Sequence, residues 1–173
     1  MPIDAKLRAA IVDHALREGS AVDAARAAGF AREAGVAASV LTLSWPDGPN
    51  RAQAAARDAR YRALCEEAGR AGARVIAVAG AADDQAETVL MRAAGGSTWR
   101  GLAGMPSFTP APVWPEGRGL MIARPLLGAR RADLRALLRD RGAEWIEDPA
   151  NANPAYERVR VRAQLAAMEA AGL

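Results

Sequence analysis

Apolar residues first gather in Leu7–Val12, a short run that reads as a strand ending at Asp13-His14. Ser20 is placed to cap a helix running to about Ala34, with Gly35 closing it. Val36–Leu43 is a second strand, weighted by Val40, Leu41 and Leu43, and Ser44–Pro49 is a turn rich in Pro, Asp and Gly. Asn50 and Gln53 have the spacing of a capping box and open a helix through about Arg70. Arg74–Ala79 is a compact apolar run, the pattern of a buried strand. A helix from Asp83 to Ala94 comes next, stopped by Gly95-Gly96. Gly101–Gly119 holds four prolines and no helical period, so it reads as a long loop. Leu120–Ala123 is extended again, and Arg130–Arg141 is helical up to Gly142. Pro149–Pro154 makes an irregular link to a last helix over about Ala155–Ala171. Strands alternating with helices predict an α/β layered fold with a mostly parallel sheet.

The 173 residues suit one domain, with a core over about 7–127 and an arginine-rich part from 128 to 173. Alanine accounts for 44 positions, which flattens every hydrophobic pattern and raises helix propensity throughout. A single cysteine excludes an internal disulfide scaffold, and no Cys/His cluster has zinc-ligand spacing. No apolar run approaches the ~20 residues of a membrane span, and the N-terminus lacks a signal-peptide core. The expectation is a cytoplasmic protein with no membrane association.

Charge is uneven. Residues 1–117 carry 13 basic and 13 acidic side chains, whereas 118–162 carry ten arginines against six acids, an excess of four. Arg158, Arg160 and Arg162 alternate at its end, able to neutralise nucleic-acid phosphates or simply to form a solvated helix face. Asp83 and Asp84 come directly after the strand Arg74–Ala79, where open parallel sheets bind ligands. Adjacent carboxylates there suit either magnesium with nucleotide phosphates or plain capping of a helix N-terminus. Cys65, mid-helix with Tyr61 and Ala68 on nearby turns, reads as core. Of the four tryptophans, Trp99 is the one placed for RNA contact.

Six segments then fall in a recognisable order: Val12–Arg17, Gln53–Tyr61, Asp83–Thr88, Gly101–Met105, Arg124–Leu127 and Trp145–Asn151. Together they resemble the N-terminal catalytic domain of the tRNA(Ile)-lysidine synthetase family, over roughly residues 8–165. The resemblance implies a PP-loop ATP pyrophosphatase with a Rossmann-like parallel sheet, helices on both faces, of the adenine-nucleotide α-hydrolase type. It implies an ATP-dependent carbon-nitrogen ligase that activates the wobble cytidine of isoleucine tRNA and joins free lysine to it. ATP and magnesium are the implied cofactors. Asp83 and Asp84 become candidates for the catalytic and metal side of the site. His14, Arg17, Arg57 and Arg60 become nucleotide-binding candidates, and Arg124, Arg158, Arg160 and Arg162 candidates for substrate or tRNA contact.

The sequence also departs from that family. Its phosphate loop, Ser-Gly-Gly-x-Asp-Ser, has no counterpart. Asp13–Arg17 matches the segment after the family's second strand, and the 12 residues ahead of it cannot hold a strand, loop and helix. The expectation is a sheet N-terminally truncated, its first strand missing, with exposed edges that a partner protein or self-association would cover. The run Gly95–Ser97 comes after a helix, so it reads as a helix stop. Gly80 and Ala81 stand where the family has two histidines, and Gly95 and Thr98 where it has arginine and glycine. These losses predict no useful lysidine formation by the chain alone. The alternative is a non-catalytic remnant that binds RNA or a protein partner through its arginine-rich end.

Overall fold

In Arg8–Asp13 the β-branched pair Ile11-Val12 and the absence of a cap favour an extended chain, and the segment forms β1. It lies parallel to β2 (Ala37–Thr42), in register from Arg8 opposite Ala37 to Asp13 opposite Thr42. Parallel neighbours need a crossover, supplied by α1 (Ser20–Glu33). Ala24 and Ala28, four apart on one face of α1, are buried. Their small side chains let the helix pack on both strands. Gly19 rather than Ser20 is the N-cap, because the left-handed turn at Gly19 already redirects the chain into the helix.

This computed structural model describes residues 7–45, 48, 53–147, 153 and 157–172, with only the backbone of Gln53, Arg100 and Glu169. The proposed Asn50–Gln53 capping box and most of the link Pro149–Pro154 lie outside the described residues. The remaining elements are α2 (Gln53–Arg70), β3 (Val75–Ala77), α3 (Ala82–Ala94), α4 (Trp99–Leu102), β4 (Phe108–Pro110), β5 (Met121–Ala123), α5 (Arg131–Asp140) and α6 (Glu157–Ala170). Most expected boundaries fall within a residue or two of these, the usual fraying of element ends. The segment Gly101–Gly119 is less of a loop than its prolines suggest. It contains the end of α4 and the strand β4.

The chain divides into two compact units, one of Met1–Ile76 with Pro110–Ile122, the other of Ala77–Thr109 with Ala123–Leu173. The chain passes between them inside β3, β4 and β5, which form a sheet in the order β3-β5-β4. Met121 N donates to Arg74 O and Val78 N to Ala123 O, so β3 and β5 run parallel. Ala111 N donates to Leu120 O and Arg124 N to Ser107 O, so β4 runs against β5. Among the described residues, β1 and β3 each have one strand neighbour.

The two units are built differently. The first has an apolar core that includes Leu43, Tyr61, Cys65, Ala68, Val113, Leu120 and Ile122. Tyr61, Cys65 and Ala68 share one face of α2, as expected, and burial raises the Cys65 thiol pKa. In the second unit the buried described residues are Ala81, Glu87, Gly104 and Arg124, so its interior is held largely by polar contacts. Gln85 bonds Met105 both ways, Nε2 to the carbonyl at 2.9 Å and Oε1 from the amide at 2.7 Å. Arg92 Nη1 donates to the carbonyls of Gly101 and Gly104 at 2.9 and 2.8 Å. No helix of the described residues is long and apolar enough to cross a membrane.

Candidate functional site

In the first unit the chain leaves β1 through a strained turn. Asp13, 4% exposed, accepts the amide of Ala15 at 2.9 Å, and Ala15 adopts φ 50°, the left-handed region. The Trp45 indole donates to the carbonyl of His14 at 2.7 Å, tying the segment after β2 to the segment after β1. This is the carboxyl end of a parallel strand pair, where open α/β sheets bind ligands. Of the expected nucleotide residues, His14 sits in this turn, and Arg17 pairs with Asp23 in the first turn of α1. Arg57 and Arg60 are brought together by Tyr61, their guanidinium carbons 5.0 and 5.2 Å from its ring centre.

In the second unit Asp83 and Asp84 occupy the first turn of α3, where carboxylates complement the helix dipole. Asp84 Oδ2 accepts the amide of Ala81 at 2.8 Å, and its Oδ1 accepts Arg131 Nη2 at 2.9 Å. Asp83 Oδ2 accepts the amide of Arg131 at 2.7 Å. Burial works against ionising Asp83, but the amides of Arg131 and Asp83 and the charges of Arg131 and Arg162 outweigh it. Its pKa falls below the ordinary carboxylate value. Both acids thus anchor the start of α5. Both oxygens of Asp84 and Oδ2 of Asp83 are engaged by a guanidinium and by amides, an arrangement that does not fit a magnesium ion held by the pair. Among the described residues no group of three or more His, Cys, Asp or Glu is placed to hold a metal.

Arg124 is 8% exposed and donates from Nη1 to the carbonyl of Pro106 at 2.8 Å, so it stiffens the segment before β4. Gly80 faces it. A β-carbon there would meet Leu127, Arg124 and Met105 at 3.5–4.0 Å, so an added methyl fits, while a longer side chain meets an occupied space. Gly95 and Gly96 terminate α3, which is the expected helix stop and not an anion-binding turn.

The three arginines of α6 separate. Arg162 Nε donates to Glu87 Oε1 at 2.8 Å, and Arg158 Nε lies 3.7 Å from Glu87 Oε2; Arg158 and Arg160 are both exposed. Arg131 Nη1 is 3.7 Å from Glu87 Oε1. Three carboxylates (Asp83, Asp84, Glu87) therefore face three guanidiniums. Reading single residues missed Glu87 and Arg131. Glu87 was findable, since it falls three and four residues after the acid pair on one helix face. Arg131 was not, because 48 residues separate it from Asp83.

A PP-loop domain profile matches residues 3–169. The tRNA(Ile)-lysidine synthase of Hyphomonas neptunium is 47% identical over 156 residues, covering 90% of this chain and 42% of that protein. That of Mesorhizobium japonicum is 47% identical over 175 residues, covering 97% of this chain and 37% of the relative. The chain thus spans well under half the length of these relatives. Among solved structures, the U34-tRNA thiolase NcsA from Methanococcus maripaludis with its [4Fe-4S] cluster superposes with a TM-score of 0.70. It shares 16% identity, and the match covers 95% of this chain and 55% of the thiolase. At that identity it establishes the fold alone, an α/β fold of the adenine-nucleotide α-hydrolase type.

Proposed function

The chain belongs to the PP-loop domain family, and on that premise we propose that it is the nucleotide-handling part of an ATP-dependent tRNA-lysidine ligase. The observation that carries this is the 47% identity with a tRNA(Ile)-lysidine synthase over 90% of the chain. In the proposed reaction, O2 of the wobble cytidine attacks the α-phosphate of ATP and pyrophosphate leaves. The amine of free lysine then attacks C2, AMP departs with the former O2, and the amine gives up its proton. We assign the nucleotide to the first unit, with His14 and Arg17 in the segment after β1 and Arg57 and Arg60 on α2 as its binding residues. We assign lysine and tRNA to the second unit, with Asp83 and Asp84 for the amine and the α6 arginines for RNA, while Arg124, buried and bonded to the Pro106 carbonyl, supports the segment before β4. Magnesium enters this scheme with the triphosphate and not on the acid pair.

These 173 residues contain no Ser-Gly-Gly-x-Asp-Ser run, and Gly80 and Ala81 offer no side-chain donors to a reacting phosphate. Loss of one preorganised donor costs about 10²–10³ in rate, so lysidine formation by this chain should fall at least ~10²-fold below that of a full-length relative. The test is incorporation of radiolabelled lysine into isoleucine tRNA with ATP, run beside the Hyphomonas neptunium enzyme. Turnover equal to the relative's refutes the impaired reading. Absence of both ATP and tRNA binding in calorimetry refutes the nucleotide reading altogether. RNA binding indifferent to ATP supports the second reading, a non-catalytic remnant, which Gly80 and Ala81 favour.

A further inference from the structure

We propose that Trp114 and Arg118, on the link between β4 and β5, form a stacking platform for an unpaired RNA base. The inference rests on the reading of the chain as a tRNA-acting ligase, and it adds a contact in the first unit to those assigned to α6. Trp114 is 68% exposed. One exposed tryptophan alone means little; the mounting under it is what points to a ligand.

The link is anchored on both sides of that ring. Val113, Gly117 and Leu120 are buried. The amide of Gly117 bonds the carbonyl of Val113 at 3.2 Å, that of Arg118 the carbonyl of Pro115 at 3.0 Å, and that of Leu120 the carbonyl of Gly117 at 3.0 Å. A β-carbon at Gly117 would lie 2.4 Å from the Val113 carbonyl oxygen, so the turn closes this tightly only on glycine. Glu116 turns back to α2, its Oε1 accepting Arg62 Nη1 at 2.8 Å. The backbone under Trp114 is thus fixed before any ligand arrives, which lowers the ordering cost of binding.

What the link presents outward is one aromatic plane and one cation. The Arg118 guanidinium carbon lies 6.0 Å from the Trp114 ring centre, and among the described residues no carboxylate is within ion-pairing distance of it. Glu116, the one acid between Ala111 and Leu120, is taken by Arg62. A nucleotide offers the complements of both, a π-face for the indole and a phosphate for the guanidinium. A stable protein contact needs about 20–30 residues a side. This turn exposes only the side chains of Pro112, Trp114, Pro115 and Arg118, which suits a single base better.

The test uses the whole chain with Trp114→Ala, Trp114→Leu, Trp114→Phe and Arg118→Gln, each checked for parental circular dichroism and urea midpoint. The ligands are a fluorescent isoleucine tRNA transcript and a fluorescent single-stranded cytidine oligoribonucleotide. Loss of one base–aromatic stack should weaken binding by Trp114→Ala and Trp114→Leu about five- to 150-fold. Trp114→Phe, which keeps a ring, should stay within about threefold of the parent. Arg118→Gln should lower the salt slope of log K by about 0.7–0.9, whereas Trp114→Ala should lower log K with the slope unchanged. Parental affinity in Trp114→Leu overturns the inference, because leucine keeps apolar packing and loses the π-face. Self-association of the parent that is lost in Trp114→Ala, with RNA affinity unchanged, overturns it in favour of a protein contact. Oligonucleotide binding that depends on Trp114, without tRNA binding, leaves the platform standing and refutes the tRNA reading. Binding of neither RNA overturns both.

Discussion

Replacing Gly104 by alanine tests how the start of α3 is held. Gly104 has φ +74°, and a β-carbon there would lie 2.7 Å from both Cδ and Nε2 of Gln85. A terminal amide can ordinarily swing aside, but this one bonds the Met105 backbone through both of its polar atoms. Relieving the clash therefore breaks both bonds. Gly96→Ala is the control, since Gly96 has φ +72° and nothing within 4 Å of the added carbon. For both variants the left-handed conformation costs roughly 1–2 kcal/mol, partly offset by a stiffer unfolded chain at about 0.4–1 kcal/mol. The control should lose about 1 kcal/mol. Gly104→Ala should lose about 1–3 kcal/mol more, the net worth of two hydrogen bonds. Urea titration followed by circular dichroism measures the difference, and exchange of the Met105 amide shows whether the clamp has opened. If the two variants lose equal stability, within about 0.5 kcal/mol, Gln85 does not clamp this loop.

Two further outcomes rest on single residues. Ala15 occupies the left-handed region at φ 50°, so Ala15→Gly should stabilise the chain by about 0.5–1 kcal/mol in denaturant titration, against the usual direction for a new glycine. A loss of stability would mean that the turn after β1 carries no strain. Asp83 has a folded pKa below its unfolded value, so its contribution is fully present above roughly pH 4 and fades as pH falls through the folded value. Asp83→Asn should narrow its stability gap from the parent as pH is lowered from 6 to 3; a gap constant across that range would contradict the pairing with Arg131.

Local pattern made much of this chain legible. Alternating apolar runs and capped helices gave the α/β class, and four-residue spacing placed Tyr61 and Cys65 in the core. Six short segments in order gave the family, because each is contiguous and keeps its own residue types. Contiguity is also the limit of such reading. Strand β4 was hidden inside a proline-rich stretch because three residues are too few to show a period.

The site residues needed the folded chain. By itself the sequence determined that Asp83, Asp84 and Glu87 share a helix face and that Arg158 and Arg162 lie four apart. Only the tertiary structure decided that these sets meet, with 75 residues between Glu87 and Arg162, and that Arg131 closes the cluster. Backbone periodicity fixes directions within one helix, whereas the choice between solvent and a buried counter-charge depends on which other helix packs there.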